Sequence, residues 1–283
     1  VSHLPKSGET LLATRTTQDL GGKGLIQAIA ARRAGADVVM IAGIGSDTIA
    51  DRIRTTLAAE QIPTDTLIVK EGPSDSSTIM LEETGENCIV SDVQQAQALS
   101  AEDFSPHLML KPGDVLLLQG NLSRTATMLA IAHANRAGAT VAINLTSLQN
   151  WLPKLPGQIH IAIVNATEAM EFTGCNTPDE AILGLNASVA VVTLGRDGCL
   201  IRQASEPVFK IAAPETAARD STGAGDVFVG SFIAEWLATK DAAAAATLAV
   251  QAASDMVTRF GTVFAIPDKT TIDRLRNRLR KGS

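Results

Sequence analysis

The chain has 283 residues, 45% of them apolar and 19% charged, which suits one large α/β domain and excludes intrinsic disorder. A formal charge of −6, only 3% aromatic residues and no tyrosine exclude the basic footprint and stacking platforms of a nucleic-acid binder. No apolar run reaches the roughly 18 residues of a membrane span, and Val1-Ser2-His3-Leu4-Pro5 lacks a signal-peptide core. The three scattered cysteines, at 88, 175 and 199, fit no disulfide framework, so a cytoplasmic protein is expected.

In chain order, residues 10–17 have β composition without a helical period, and glycines at 21, 22 and 24 open a helix over 23–34 that Gly35 closes. A strand at 38–42 and a helix at 47–60 follow. Residues 78–81 and 87–90 flank Glu82-Glu83-Thr84-Gly85-Glu86, the composition of a hairpin turn. Then come a strand at 115–118, a helix at 124–136 closed by Gly138, strands at 141–143 and 159–164, a helix at 167–173 and a strand at 189–194. The last third is helical, over 223–238, 242–259 and 270–280, with Arg274, Arg276, Arg278 and Arg280 read as a solvated helix face. The strand runs are nearly continuous rather than alternating, which predicts parallel strands covered on both faces and joined by right-handed crossovers. Segments 10–17 and 77–90 break that rhythm and read equally as a small flap or as plain edge strands.

Chemistry concentrates at two glycine-rich helix starts. In Arg219-Asp220-Ser221-Thr222-Gly223-Ala224-Gly225-Asp226-Val227-Phe228 the small residues leave backbone N–H groups bare, and the helix that follows adds the partial positive charge of its N-terminus. Together they make an anion hole suited to a phosphate in transfer, with Asp226 at its mouth to take a proton from an attacking hydroxyl. The bland alternative is a structural turn with a capping aspartate. The longer string, with Asp220 and Thr222 in front and Phe228 behind, favours chemistry. At Asp19-Leu20-Gly21-Gly22-Lys23-Gly24-Leu25-Ile26-Gln27-Ala28 a second loop exposes donors that suit a polyol, or simply starts a helix with a solvent-facing lysine. Neither the Gly-x-x-x-x-Gly-Lys-Ser/Thr phosphate loop nor the Gly-x-Gly-x-x-Gly dinucleotide fingerprint occurs. The four histidines, at 3, 107, 133 and 160, make no zinc-ligand pattern with the cysteines.

These segments resemble the ribokinase-like carbohydrate kinase family, named for phosphofructokinase B, in its ribokinase branch. Residues 220–228 are similar to the family signature Asp-Thr-x-Gly-Ala-Gly-Asp-x-Phe with only Ser221 altered, and Gly21-Gly22-Lys23-Gly24 with Gln27-Ala28 to its sugar loop. Asn165-Ala166-Thr167-Glu168 is similar to the family's Asn-x-x-Glu motif, and Thr193-Leu194-Gly195-Arg196-Asp197-Gly198 to its nucleotide loop. The resemblance implies a three-layer αβα sandwich with a mainly parallel central sheet, a single domain over 1–283, and a small β-lid from about 7–20 and 74–92. It further implies an ATP-dependent kinase acting on a primary hydroxyl of a small sugar, with Mg²⁺ and, at a monovalent-cation site, K⁺. Asp226 is then the general base, and the amides of Gly223, Ala224 and Gly225 form the anion hole. Gly22, Lys23, Ile26 and Asn121 contact the sugar. Asn165, Thr193, Gly195, Gly198 and, at the adenine, Val250 hold the nucleotide. Glu168 serves Mg²⁺ through water, and Asp220 with carbonyls near Thr222 and Gly261 makes the K⁺ site. The lid implies a homodimer, with no nucleic-acid or membrane partner.

Three positions depart from the family pattern. Its first strand, which carries a sugar-binding aspartate, has no counterpart before Leu4-Pro5 and is expected to be missing ahead of residue 1. Ile26 stands where the sugar loop has Asn, and Asn121 where ribokinases have Glu. Losing polar contacts of about 1–3 kcal/mol each turns the expectation away from ribose itself. Apolar Ile26 leaves open a nucleoside kinase of the same fold, and a non-catalytic sugar-binding relative is the alternative outside enzymes.

Overall fold

Several helices begin where the sequence supplies a capping side chain or a glycine, and the central strands where it supplies an apolar run. The computed structural model describes residues 1–82, 87–144, 158–204 and 206–282. Helix α1 (Lys23–Arg33) starts behind Gly22, whose φ of 95° only glycine adopts readily. Strand β1 (Ala42–Ile44) pairs in parallel with β2 (Leu67–Val69), and between them α2 (Thr48–Ala59) is capped by Asp47, which accepts from Ala50 N at 2.9 Å. Next, β3 (Ser76–Leu81) and β4 (Asn87–Asp92) form an antiparallel hairpin with Ile79 opposite Ile89, followed by the short helices α3 (Gln94–Gln97) and α4 (Ala101–Phe104). The expected hairpin turn at 83–86 lies outside the described residues.

The central layer is a six-stranded sheet. It contains β5 (Val115–Leu118), β6 (Thr140–Ile143), β7 (Ile161–Asn165), β8 (Val189–Thr193), β9 (Cys199–Gln203) and β10 (Phe209–Ile211) in the spatial order β10-β9-β8-β7-β6-β5. Strands β5 to β8 run parallel, while β9 and β10 turn back as an antiparallel edge. Helix α5 (Arg124–Arg136) makes the crossover from β5 to β6, and α6 (Ala166–Thr173) with α7 (Pro178–Gly184) that from β7 to β8. Helices α8 (Ala224–Thr239), α9 (Ala242–Met256) and α10 (Lys269–Gly282) complete the chain.

Both faces of the sheet are covered. Phe228, Phe232 and Ile233 of α8 and the alanines of α9 pack on Ile161, Ile163, Val191 and Ile201. On the opposite face Ile131 of α5 meets Leu118 and Val141, and Ile182 of α7 meets Val192 and Leu200. Each such fully buried side chain is worth about 1.5–3 kcal/mol relative to exposure. Burial also pushes the Cys199 thiol up to about 12, leaving it an inert core residue. Gly35 and Gly138 take the left-handed conformation expected of helix-closing glycines, at φ 100° and 69°.

Two expectations about strands need correction. Segment 10–17 forms no strand: Leu12 is 89% exposed, and among the described residues no neighbouring strand pairs with it. The flap is therefore the β3–β4 hairpin without that first half. The strand expected at 38–42 lies instead at Ala42–Ile44, sharing only Ala42 with the expected range. Among the described residues no helix is long and apolar enough to cross a membrane.

Candidate active site

The N-termini of α1 and α8 face each other beside the C-terminal edge of β5, β6 and β7. They approach closely because Gly230, one turn after Asp226, has no side chain: a methyl there would overlap the Gln27 carbonyl and lie 2.8 Å from Ala30 Cβ and 2.9 Å from Ala31 N. Gly223 caps α8 with φ 82°, in the left-handed region that bares its neighbours' amides. The Ala224 N–H closes a turn on the Ser221 carbonyl at 3.2 Å, and the Asp226 N–H returns to the Gly223 carbonyl at 3.0 Å. Among the described residues no acceptor meets the amides of Gly223 and Gly225. Two of the three expected anion-hole donors are thus bare, and the third is engaged in the helix start.

Asp226 sits at this mouth with its side chain 13% exposed and Lys23 Nζ 3.9 Å from Oδ1. Burial raises its pKa, while Lys23 and a hydrogen bond from Gln27 pull it back. Gln27 Nε2 donates to Asp226 Oδ1 at 2.8 Å and to Asn144 Oδ1 at 2.9 Å, and Gln27 Oε1 accepts from Gln119 Nε2 at 2.9 Å. Asn144 Nδ2 in turn donates to the Ile163 carbonyl at 2.9 Å. Gln119 and Asn144 are the first residues past β5 and β6, at the strand ends where α/β folds bind ligands.

Asn165 and Glu168 form a reciprocal capping box at α6: Asn165 Oδ1 accepts from Glu168 N at 2.8 Å and Glu168 Oε2 from Asn165 N at 2.9 Å. Burial raises the Glu168 pKa, and it feels the charges of Lys23 and Asp226, which puts it in the same electrostatic environment. One Glu168 oxygen remains for a ligand, and no group of three His, Cys, Asp or Glu able to hold a metal occurs among the described residues. That donor set fits a Mg²⁺ held mostly by phosphate and water, and does not fit a protein cage.

Thr193 ends β8 beside the turn at Gly195–Asp197, where Gly195 faces open space and Leu194 N–H closes on the Gly198 carbonyl at 2.8 Å. Gly198 serves the chain itself, since a side chain there would strike the Ile211 carbonyl and sit 2.8 Å from Ala213 N. Gly22 borders open space and Asn121 is exposed, with no hydrogen bond to Asp226 or Lys23.

Other expected contacts are placed differently. Ile26 is 3% exposed, and a Cβ on Gly223 would lie 3.1 Å from both its Cδ1 and Met256 Cε, so it supports the helix mouth from below. Val250 is 4% exposed in the core between α9 and the sheet. Asp220 spends both oxygens on backbone, accepting from Thr222 N at 2.9 Å and Gly261 N at 3.1 Å. These bonds strap the loop ahead of α8 to Gly261. Asp19 extends the strap, accepting from Thr262 N and Thr262 Oγ1 at 2.7 Å each.

Sequence reasoning passed over Gln119 and Asn144, and quoted Asp19 and Gln27 without giving either a role. The signals were present: Gln27 lies four residues after Lys23, hence on the same helix face, and Gln119 and Asn144 are the first polar residues after apolar strands.

The family model for pfkB family carbohydrate kinases matches residues 1–269. A ribokinase of Haemophilus influenzae is 31% identical over 280 residues, covering 95% of this chain and 91% of that protein. A mouse ribokinase is 30% identical over 242 residues, 81% of this chain and 75% of its own length. Among solved structures, Arabidopsis thaliana ribokinase complexed with ribose and ATP superposes with a TM-score of 0.82 at 24% identity, over 97% of this chain and 93% of that one. The layered sheet is accordingly the ribokinase-like α/β fold, the enzyme class is phosphotransfer to an alcohol acceptor, and the chain belongs to the pfkB family of carbohydrate kinases.

Proposed function

We propose that this chain transfers the γ-phosphoryl group of ATP to a primary hydroxyl of a small sugar. One observation carries it: a largely buried carboxylate, Asp226, stands beside two unpaired amides at the start of α8 and faces a lysine 3.9 Å away. The carboxylate suits a hydroxyl that must lose its proton, and the amides suit the charge that builds on the transferred phosphoryl. Gly22 and Lys23 border the open cleft and are assigned to the sugar, with Asn121 at its exposed rim. Asn165, Thr193 and Gly195 lie along the neighbouring strand ends and are assigned to the nucleotide. Bound Mg²⁺ offsets phosphate charge, and Glu168 would hold it through water. Its free oxygen can accept from that water while Asn165 fixes the other.

The relatives in hand are ribokinases, and one is complexed with ribose and ATP, which supports a pentose-sized acceptor and ATP as the donor. The nucleoside-kinase alternative drew on Ile26 as an apolar contact for a base, and with Ile26 packed beneath Gly223 it loses that support. A coupled ADP-release assay over pentoses, hexoses and nucleosides identifies the acceptor. In the same assay Asp226→Asn is expected to bind ATP normally and lose at least about a hundredfold in turnover; near-parental turnover would remove Asp226 from the chemistry.

A further inference from the structure

Gln27 is 1% exposed and uses every polar atom of its side chain. Its orientation can be followed outward from the backbone. The Ile163 carbonyl can only accept, so Asn144 must present Nδ2 to it, at 2.9 Å, and turn Oδ1 towards Gln27. Gln27 must then turn its NH₂ to Asn144, which leaves its second N–H for Asp226 Oδ1 and its carbonyl for the NH₂ of Gln119. A flipped Gln27 would set oxygen against oxygen at Asn144 and Asp226, and NH₂ against NH₂ at Gln119. At this burial each mismatch leaves an unsatisfied polar group.

We infer, on the basis of the kinase function proposed above, that Gln27 is a positioning residue that commits Asp226 Oδ1 to hydrogen bonding and so makes Oδ2 the atom that takes the substrate proton. The geometry is one-way. Because Oδ1 faces a fixed donor, a proton placed there would meet the Gln27 N–H head-on, so the neutral form of Asp226 carries its proton on Oδ2. In the transfer step the acceptor's O–H proton passes to Oδ2, a bond forms between the acceptor's own oxygen and the γ-phosphorus, and the bond from that phosphorus to the β,γ-bridging oxygen breaks with its electron pair leaving on ADP. The Gln27 bond also stabilises the ionised form that burial opposes, which keeps the carboxylate available as a base.

The experiment is the pH dependence of kcat, with ATP and the sugar that supports ADP release, for the parent, Gln27→Met and Gln119→Met. With no donor opposite Oδ1, Gln27→Met is expected to lose about 10- to 100-fold in kcat at neutral pH. The acidic limb of its profile should move to higher pH, with the KM for ATP little changed. Gln119→Met weakens the same relay one amide further away and is expected to move the limb in the same direction by less. A fall in kcat with the limb unmoved would mark Gln27 as a packing residue only and overturn the assignment. If Gln27→Met does not fold, as judged by its melting curve, the partly buried Gln119 position decides, and an unmoved limb there overturns it as well. A parent that releases no ADP with any sugar removes the kinase function itself; an active parent with unmoved limbs removes only the role of Gln27.

Discussion

Gly230→Ala tests whether the close approach of α1 and α8 holds the site together. The added methyl would overlap the Gln27 carbonyl and lie 2.8 Å from Ala30 Cβ, whereas carbon atoms rest about 3.5–4.0 Å apart. The helices must therefore separate by about 1 Å. Overpacking of this kind costs about 1–3 kcal/mol, offset by up to about 1 kcal/mol because alanine is the better helix former. A net loss of about 1–2 kcal/mol lowers the melting temperature by a few degrees in a chain of this size, at about 2–4 °C per kcal/mol. The effect on turnover should be larger. Gln27 and Asp226 lie on the two facing helices and meet at 2.8 Å, and an added ångström takes that bond past the roughly 3.2 Å limit of N–H···O geometry. Misplacement by about 1 Å can cost about a hundredfold in rate, so kcat should fall about 10- to 100-fold while the protein remains folded. Differential scanning fluorimetry and the ADP-release assay measure the two effects separately. A variant that melts at or above the parental temperature and turns over at the parental rate would show that neither the contact nor the spacing matters.

Gly225→Ala should do the reverse on stability, because nothing lies within 4 Å of the new methyl and glycine is the weaker helix former. Its melting temperature should hold or rise while kcat falls about tenfold or more, since the methyl crowds a bare amide of the kind worth about 10²–10³ in rate; unchanged turnover would mean that no phosphate approaches there. For His160 the prediction concerns pH. Burial lowers its pKa from 6.5, and Nδ1 accepts the Val141 N–H at 3.0 Å, so the folded state prefers the neutral ring. Above pH 6.5 the ring is neutral folded or unfolded and its contribution to stability is whole. As pH falls below that value the unfolded chain takes up the proton first, and stability drains until the folded-state pKa is passed, at no more than about 1.4 kcal/mol per pH unit for one proton. Urea titrations at several pH values should show this loss in the parent and a shallower one in His160→Gln; parallel curves would refute it.

The parallel strands were legible because a strand buried on both faces writes a continuous apolar run, as 115–118 and 189–194 do. Short edge elements leave no such trace. Leu67–Val69 spans three residues, and Phe209–Ile211 pairs on one side only, so neither carries enough periodicity to be read. Segment 10–17 shows the opposite failure, for its composition is that of a strand and no strand among the described residues pairs with it. At the site, the glycines, Asp226 and the Asn165–Glu168 pair were readable from local spacing, since their geometry is set within one helix start. Gln27, Asn144 and Gln119 come together from positions far apart in the sequence, and only the fold reveals that their amides form one chain. The packing of Ile26 and Val250 was illegible for a related reason. Position in a motif fixes which helix turn a residue occupies, whereas its contacts depend on what packs against that turn.

Phosphoryl transfer asks a protein mainly for fixed placement, yet both loops that do the placing are rich in glycine, which loses more freedom on ordering than any other residue. Two aspartates outside the proposed chemistry answer that conflict. Asp220 ties the loop ahead of α8 to Gly261 N, and Asp19 ties the loop ahead of α1 to Thr262 N, the very next amide. The Thr262 hydroxyl shares its one proton between Asp19 and the Leu20 carbonyl, and the Val257 carbonyl accepts from Arg219 N at 2.7 Å. Gly261 makes the double grip possible: its φ of 94° turns adjacent amides towards different loops, and a side chain there would approach Asp19 Oδ2 at 3.0 Å. The two loops therefore cannot shift independently without breaking a carboxylate–amide bond. Rigidity that glycine gives up in each loop is restored by a third segment that belongs to neither.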